Sequence, residues 1–356
     1  MSDPLSIRSF AGTYQVDFLD GPVPGLQHGM PEHAHFVVDR MVFQLYEKDL
    51  SSVIGDSPVL KIDALETNKS LDKMPLFITS LIEGGLRRGR TLVAVGGGII
   101  QDIACFISSI VYRGVPWIFV PTTLLAQADS CIGSKSSINN GHIKNVVGTF
   151  HPPVSIAIHP AFLGTLNEQE IESGIGEMLK VNMLDGRRSF ASIAEDYPRL
   201  RGDSQLLARH VRRALEIKKR FIEQDEFDRG VRNLLNYGHS FGHAIEAATN
   251  FGVPHGIAVT IGMDMANFYS AETGRIAHAD FEWSHAVLRA NYRRFEDIAV
   301  PLDAFVQAIT RDKKNAESKL ALILPSADMR IEKVFVEPDD RFRNVCRAYF
   351  DERIRA

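Results

Sequence analysis

Four short runs of mostly branched apolar residues, separated by stretches with helical spacing, constrain the fold of the first half of this chain. The runs are HFVVD (35–39), TLVAV (91–95), WIFVP (117–121) and SIAIH (155–159). Because these runs are apolar on both faces, they are typical of parallel strands that helices cover on both sides of a sheet. The alternation predicts a doubly wound, Rossmann-like α/β domain with a parallel sheet.

The pattern changes near residues 160–167, where we place the boundary between two domains. From Asn167 onward the apolar residues follow helical spacing with long polar faces, as in SQLLARHVRRALEIKKRFIEQDE (204–226). Near the end, KLALILPS and MRIEKVFVE predict a small hairpin appended to the helices. The sequence therefore predicts an α/β domain over residues 1–165 and a mostly α-helical domain over residues 166–356.

Composition excludes several other classes of protein. The 40 basic and 44 acidic side chains give a net charge of −4, whereas a general nucleic-acid binder usually carries a basic excess. The 3 cysteines are few and widely spaced, which favours a reducing compartment over a disulfide framework. No secretion signal is recognisable, and no stretch reaches about 18 uninterrupted apolar residues. We therefore expect a cytoplasmic protein that binds neither nucleic acid nor membranes.

Three consecutive glycines at 96–98 follow the strand TLVAV directly and precede a helical stretch. Glycines at such a turn let backbone N–H groups approach a pyrophosphate, whose charge the helix N-terminus favours. The spacing is not the GxGxxG of the common dinucleotide fingerprint, so a tight turn remains the alternative. Thr122 and Thr123 after the next strand, and Asp39 at the end of an earlier one, fit the same ligand site, with strand-end capping as the alternative for the threonines.

The segment 129–153 is long, polar and unlike a helix or a strand. A loop of this length inside a compact domain is usually functional or disordered. It offers Asp129, Lys135, Lys144 and Asn145, and cationic and amide groups suit a phosphate or carboxylate substrate. A solvated surface loop is the alternative, because lysine is most often exposed.

A cluster of histidines is the most informative part of the sequence. His239 and His243 are four residues apart and share a face of the predicted helix, and His255 follows after a short turn. Upstream, Glu177 and Lys180 share a face one turn apart. Imidazoles and one carboxylate suit a zinc-type divalent ion with an open coordination position. Spacing alone does not say which three groups are the ligands.

The motifs together resemble one family. GGGIIQD, RGVPWIFVPTTLLAQADS, SKSSIN, SGIGEMLK, RNLLNYGHSFGHAIE and HG occur in the order found in 3-dehydroquinate synthase and its sugar-phosphate cyclase relatives, from about residue 35 to residue 325. The resemblance implies carbocycle formation from 3-deoxy-arabino-heptulosonate 7-phosphate with elimination of phosphate. It implies NAD used catalytically, a zinc or cobalt ion, and a homodimer in which Arg113 reaches the neighbouring subunit's site.

The resemblance also implies a role for each matching position. The implied metal ligands are Glu177, His239 and His255. The implied NAD-binding positions are Asp39, Glu66, Lys69, Gly96, Gly97, Gly98, Thr122, Thr123, Asp129, Lys144, Phe162 and Thr165. The implied catalytic or substrate-facing positions are Asp102, Arg113, Lys135, Asn145, Lys180, Lys218, Arg232, Asn236, His243 and Lys313.

Departures from the family pattern keep the substrate open. Residues 133–136 read GSKS where dehydroquinate synthases usually read GGKT, and residues 139–143 read NNGHI. The residues HPP at 151–153 and the GTF before them resemble cyclases of secondary metabolism, which make 2-deoxy-scyllo-inosose or valiolone-type products. Arg232 favours an acidic sugar, because a buried guanidinium without a carboxylate opposite it is costly.

Two other classes of function remain as alternatives. A metal-dependent polyol dehydrogenase shares the two-domain plan, but it would release NADH and would not need Lys135, Asn145, Lys218 and Lys313 together. A catalytically silent relative that only binds NAD would be expected to miss metal ligands, and none is missing. Stoichiometry distinguishes the cyclase from the dehydrogenase: the cyclase releases phosphate without net NADH, and the dehydrogenase does the reverse.

Overall fold

The computed structural model describes residues 3–141, 143–311 and 319–354. The chain divides into two compact units, one formed by Met1–Leu166 with Lys218–Phe227 and the other by Asn167–Ile217 with Asp228–Ala356. The short segment Lys218–Phe227 thus groups with the first unit, although it lies in the part of the sequence predicted to be the second domain. Within the described ranges, no helix is both long and apolar enough to cross a membrane.

The first unit contains a seven-stranded sheet. Its strands are β1 (Leu5–Ser9), β2 (Gly12–Phe18), β3 (Ala34–Asp39), β4 (Val59–Ile62), β5 (Thr91–Gly96), β6 (Trp117–Pro121) and β9 (Ser155–Ile158). They lie in the order β1-β2-β9-β6-β5-β3-β4. All neighbours pair in parallel except β1 and β2, which form an antiparallel hairpin at one edge. The four predicted strands and the predicted parallel sheet are confirmed.

Helices cover this sheet because their apolar residues recur every three or four positions. They are α1 (Arg40–Leu45), α2 (Glu47–Ile54), α3 (Met74–Glu83) and α4 (Gly98–Ile110). Along α4, Ile100, Ile103 and Ile107 repeat at this spacing and are completely buried. Phe36 and Val93 of neighbouring strands belong to one core cluster on the sheet. This packing fixes the carboxyl ends of the strands, where ligands bind in open α/β sheets.

The polar segment 129–153 is not wholly irregular, so this part of the sequence prediction is wrong. It contains an antiparallel hairpin of β7 (Ile138–Asn140) and β8 (Ile143–Val147). Gly141, in the turn, has φ +58°, a left-handed conformation that glycine adopts without strain. The two strands are short, half of their residues are polar and β8 is mostly exposed, so alternation did not reveal them. The Asn140-Gly141 pair was the available hairpin signal.

The second unit is mostly helical, as predicted. Its elements are α5 (Glu168–Leu184), α6 (Arg187–Asp196), α7 (Ser204–Gln224, whose last residues from Lys218 belong to the first unit), α8 (His239–Ala248), α9 (His255–Glu272), α10 (His278–Tyr292), β10 (Leu320–Ser326), β11 (Arg330–Val336), α11 (Leu302–Thr310) and α12 (Asp340–Ala348). A capping box starts α5, with Asn167 and Glu170 exchanging hydrogen bonds. Strands β10 and β11 pair antiparallel, which confirms the predicted hairpin.

Glycines let α5, α8 and α9 contact one another backbone to backbone. A Cβ atom at Gly256 would lie 1.9 Å from the carbonyl oxygen of Ser173, and one at Gly176 would lie 2.3 Å from that of Gly256. A Cβ atom at Gly262 would lie 2.0 Å from the carbonyl oxygen of Gly238. Atoms do not approach this closely, so only glycine permits these contacts. We refer to Gly176, Gly238, Gly256 and Gly262 as the glycine seam.

A buried carboxylate of α9 ties α10 and the residue after α12 to that helix. Asp264 of α9 is fully buried and accepts hydrogen bonds from Tyr292, Tyr349 and the Nδ1 atom of His285, at 2.7, 2.8 and 2.9 Å. Burial and the charge of Asp264 hold the pKa of both tyrosines above their ordinary value. The donors satisfy a carboxylate that would otherwise be costly to bury.

Candidate active site

One carboxylate and two imidazoles meet at the glycine seam. Glu177 lies in the middle of α5, while His239 and His255 are the first residues of α8 and α9. Oε1 of Glu177 lies 3.7 Å from Nε2 of His239 and 3.5 Å from Nε2 of His255. We refer to Glu177, His239 and His255 as the triad. The close helix contacts made by Gly176 and Gly256 bring these side chains together, because Gly176 precedes Glu177 and Gly256 follows His255.

This triad fits a divalent metal ion. Donors on a tetrahedral zinc at about 2.1 Å lie about 3.4 Å from one another, close to the separations within the triad. Tyr237 supports the same arrangement, since its carbonyl oxygen lies 3.2 Å from Nδ1 of His239. A carbonyl oxygen only accepts hydrogen bonds, so Nδ1 carries the proton and Nε2 is left as a metal-binding atom.

A second set of donors shares one imidazole with the triad. Donor atoms of His243, Glu246 and His255 also lie within 4.8 Å of one another, as do those of the triad. His243 is exposed, and its ring lies 5.4 Å from that of His239. The prediction that these two histidines share a helix face is confirmed. Among the described residues, however, no candidate metal group includes both of them.

Lys180 places a positive charge beside the triad. Its Nζ atom lies 2.5 Å from Oε2 of Glu177, and both side chains are almost completely buried. This contact occupies one carboxylate oxygen and leaves Oε1 directed at the two histidines. In His255, burial lowers the pKa, but the hydrogen bond and charge of Glu246 and the charge of Glu177 outweigh it and raise the pKa above its ordinary value.

Two predicted substrate-facing residues precede the histidines in a short 3-10 helix, Val231–Asn236. Arg232 is 7% exposed, and Asn236 is half-buried and donates to the carbonyl oxygen of Asn233 at 3.0 Å. Gly238, at φ +76°, then turns the chain into α8. Lys313, the remaining predicted substrate residue of this unit, lies outside the described residues.

In the first unit, the glycine triplet joins β5 to α4. A Cβ atom at Gly96 would lie 2.6 Å from Ile100, and one at Gly97 would lie 2.9 Å from Thr123, so both are required for packing. At Gly98, the first residue of α4, a Cβ atom would meet only Ser130, at 4.0 Å. The helix N-terminus is thus open where a phosphate group would bind.

Other predicted NAD-binding residues lie at strand ends, in the core or, for Thr165, on the surface. The buried hydroxyl of Thr122 has no hydrogen-bond partner within the described ranges, as expected of a group that completes its bonding with a ligand. Asp39 caps α1 by accepting from the backbone N–H of Met41 at 2.9 Å. Phe162 belongs to the hydrophobic core, and Thr165 lies 3.1 Å from the hydroxyl of Tyr46.

A polar cluster joins predicted cofactor and substrate residues of the first unit. The Nζ atom of Lys69 lies 3.1 Å from Asp102, 2.9 Å from Asn145 and 3.7 Å from Glu66. Asn139 accepts from the backbone N–H of Asn145 and donates to Glu66, each at 2.8 Å. Burial raises the pKa of Asp102 despite the charge of Lys69. Sequence reasoning did not single out Asn139, which holds the β7–β8 hairpin against this cluster.

The remaining predicted residues of the first unit differ in burial. Lys218 is buried, with its Nζ atom 2.6 Å from the carbonyl oxygen and 2.5 Å from Oδ1 of Asp129. Lys135 is half-buried, and Lys144 is exposed on β8. Arg113 is exposed too and has φ +68°, in a turn after α4.

We expect Lys69→Met to destabilise the protein, because it leaves Asp102 and Glu66 without the cation between them. The free energy of unfolding should fall by about 3 kcal/mol, as is typical when one partner of a buried ion pair is removed. Urea unfolding followed by circular dichroism measures this change. Lys73→Met is the matched control, since Lys73 lies on the surface, 4.0 Å from Asp72. A loss no larger than that of the control would contradict the expectation.

Comparison with solved structures identifies the fold class of this chain. The chain resembles two solved sugar-phosphate cyclases along nearly its whole length. A 2-epi-5-epi-valiolone synthase from Streptomyces hygroscopicus subsp. jinggangensis 5008, with NAD+ and Zn2+ bound, is 25% identical, with a TM-score of 0.82 over 96% of this chain and 97% of that chain. A 2-deoxy-scyllo-inosose synthase complexed with carbaglucose-6-phosphate, NAD+ and Co2+ is 21% identical, with a TM-score of 0.82 over 98% of this chain and all of that one. The fold class is that of the sugar-phosphate cyclases.

Sequence comparison gives the family itself. Residues 59–173 match 3-dehydroquinate synthase N-terminal, and residues 174–315 match 3-dehydroquinate synthase C-terminal. The 3-dehydroquinate synthase of Streptococcus equi subsp. equi is 31% identical over 360 residues, which cover 99% of each chain. This protein belongs to the 3-dehydroquinate synthase family, whose members are phosphate-eliminating cyclases.

Proposed function

We propose that this protein closes a carbocycle from 3-deoxy-arabino-heptulosonate 7-phosphate with loss of phosphate, using NAD and a divalent metal ion. The observation that carries the proposal is the triad of Glu177, His239 and His255, held beside Lys180 by glycine contacts. Membership of the 3-dehydroquinate synthase family supports it.

The proposed cofactors match the residues that would hold them. Glu177, His239 and His255 would hold zinc or cobalt, and the open N-terminus of α4 at Gly98 would hold the pyrophosphate of NAD. When bound, NAD would remove and later return a hydride, and the metal ion would polarise substrate oxygens. The two solved cyclases carry NAD+ together with Zn2+ or Co2+.

The work of the protein's own residues is positioning, charge neutralisation and proton transfer. In the proposal, Arg232 binds the substrate carboxylate, since its planar guanidinium matches a carboxylate with two parallel hydrogen bonds. His243 is exposed at the site and moves a proton near the leaving phosphate. Holding both ends of one molecule lets ring closure occur without an encounter between two molecules. Asp102, Lys135, Asn145, Lys218, Asn236 and Lys313 are the further proposed substrate residues.

A related cyclisation is the second candidate. The two solved cyclases make 2-deoxy-scyllo-inosose and 2-epi-5-epi-valiolone, and each matches almost the whole chain. Arg232 favours the acidic sugar instead, because a planar guanidinium matches a substrate carboxylate with two parallel hydrogen bonds. We further propose a cytoplasmic homodimer in which Arg113, exposed on a turn of the first unit, reaches the partner's site.

Measuring products tests both the reaction and the substrate. The purified protein, supplied with NAD and Zn2+, is incubated separately with 3-deoxy-arabino-heptulosonate 7-phosphate, sedoheptulose 7-phosphate and glucose 6-phosphate. We expect phosphate release from the first compound, with no accumulation of NADH, because the hydride is returned within each turnover. Phosphate release from sedoheptulose 7-phosphate alone would contradict the substrate assignment. NADH accumulation without phosphate release would instead indicate a polyol dehydrogenase.

A further inference from the structure

One metal ligand of the proposed triad lies between two carboxylates. Nε2 of His255 faces Oε1 of Glu177 at 3.5 Å, while Nδ1 on the other side of the ring lies 3.4 Å from Oε1 of Glu246. Both contacts involve the same imidazole, so they fix the direction in which the ring points. Glu246 comes from α8 and His255 from α9, the two helices that the glycine seam packs together.

His255 needs such support more than the other ligands do. Its side chain is 38% exposed, against 13% for His239 and 1% for Glu177. The ring of His239 is held by the backbone carbonyl of Tyr237, which also contacts Nδ1. At His255, the Nδ1 atom faces the carboxylate of Glu246 instead of a backbone carbonyl. Each imidazole of the triad therefore has its Nδ1 atom occupied and its Nε2 atom directed at Glu177.

We propose that Glu246 is a positioning residue for the metal site: it accepts the Nδ1–H of His255, fixes the tautomer and ring orientation, and makes Nε2 a stronger ligand. A carboxylate that accepts from a metal-bound histidine raises the basicity of the ring, and its loss typically lowers metal affinity about 10- to 100-fold. Glu246 contacts His255, and through this ligand it would act on the reaction. The inference rests on the proposed metal site.

The expected result is a graded loss of metal affinity. The dissociation constant for Zn2+ is measured by competition with a chromophoric chelator for the wild-type protein and for Glu246→Ala and Glu246→Gln. Glu246→Ala should weaken binding about 10- to 100-fold. Glu246→Gln should fall between it and the wild type, because the amide oxygen still accepts from Nδ1–H without the charge. Unfolding of the metal-free proteins, followed by circular dichroism, measures stability separately.

Glu272→Ala is the matched control. Glu272 also faces the Nδ1 atom of a histidine, His278, at 3.9 Å, and this pair lies at the other end of α9 from the triad. The control should keep the wild-type affinity for Zn2+. If Glu246→Ala lowers only the stability of the metal-free protein and leaves the dissociation constant unchanged, the positioning role is wrong.

Three outcomes are decisive. Complete loss of Zn2+ binding in both Glu246 variants would make Glu246 a direct ligand in the group with His243 and His255, which overturns the positioning role. A wild-type protein that binds no divalent ion would overturn both this inference and the proposed metal site. A normal wild-type affinity with unaffected Glu246 variants would overturn this inference alone.

Discussion

Replacing His239 by alanine is expected to remove both bound metal and turnover, whereas His243→Ala should keep near-stoichiometric metal and lose turnover alone. His239 lies 3.7 Å from Glu177 and is largely buried, whereas His243 is exposed. A catalytic zinc needs three protein ligands and an open position, and a fourth protein ligand would compete for that position. Removing a general acid–base group should lower kcat by about 10²- to 10⁴-fold.

Metal analysis of the two purified variants tests this assignment. Zinc per chain is measured by atomic emission after dialysis, and turnover is measured as phosphate release. His278→Ala is a suitable control, because it removes an exposed histidine away from the triad and should change neither quantity. A zinc-free His243→Ala together with a zinc-replete His239→Ala would show that the group of His243, Glu246 and His255 holds the ion instead.

The sheet could be predicted from the sequence because its central strands carry their own signal. Each of the strands β3, β5, β6 and β9 is apolar along most of its length. Nearly every residue of β3, β5 and β6 is buried, whereas β9 alternates between half-buried and buried residues. The helical second unit was predictable for a similar reason. In α7, for example, apolar residues follow helical spacing over the whole of Ser204–Gln224. In both cases local pattern and tertiary burial agree.

The β7–β8 hairpin shows where this reasoning fails. Its strands are short, half of their residues are polar and β8 is mostly exposed, so tertiary contacts stabilise the hairpin instead of an apolar face. The backbone N–H of Asn139 donates to the carbonyl oxygen of Lys69 at 2.9 Å, and the Asn139 side chain bonds to Asn145 and Glu66. Partners about 70 residues away in the sequence leave no periodic signal.

The proposed metal triad was only partly predictable. Spacing indicated that His239 and His243 share a face, but the pairing of His239 with Glu177 and His255 followed from family resemblance. The distances between these side chains depend on how closely α5 and α9 approach each other, which is set by the backbone contacts of Gly176 and Gly256. Ser173, which a Cβ atom at Gly256 would strike, has no signal of its own in the sequence. Glu246 is the last residue of the motif RNLLNYGHSFGHAIE, but its contact with His255 depends on the packing of α8 against α9.

Gly256→Ala is expected to disrupt the proposed metal site by separating α5 from α9. The added Cβ atom would lie 1.9 Å from the carbonyl oxygen of Ser173 and 2.7 Å from its hydroxyl, which accepts from the backbone N–H of Gly256. Neither a carbonyl of α5 nor the first turn of α9 can yield without moving its helix. Such overpacking costs about 1–3 kcal/mol, and occasionally more, of the free energy of unfolding.

The same movement should carry His255 away from Glu177, because His255 is adjacent to the substituted residue and Ser173 lies one turn before Glu177. A displacement of about 1 Å at a reacting centre can cost about 10²-fold in rate, so we expect loss of turnover and weaker Zn2+ binding together. Gly202→Ala is the control: its Cβ atom would meet only the carbonyl oxygen of Arg199, at 4.0 Å. Urea unfolding, chelator competition and phosphate release are measured on both variants. If Gly256→Ala bound Zn2+ as tightly as Gly202→Ala, close helix contact would not be what sets the spacing of the ligands.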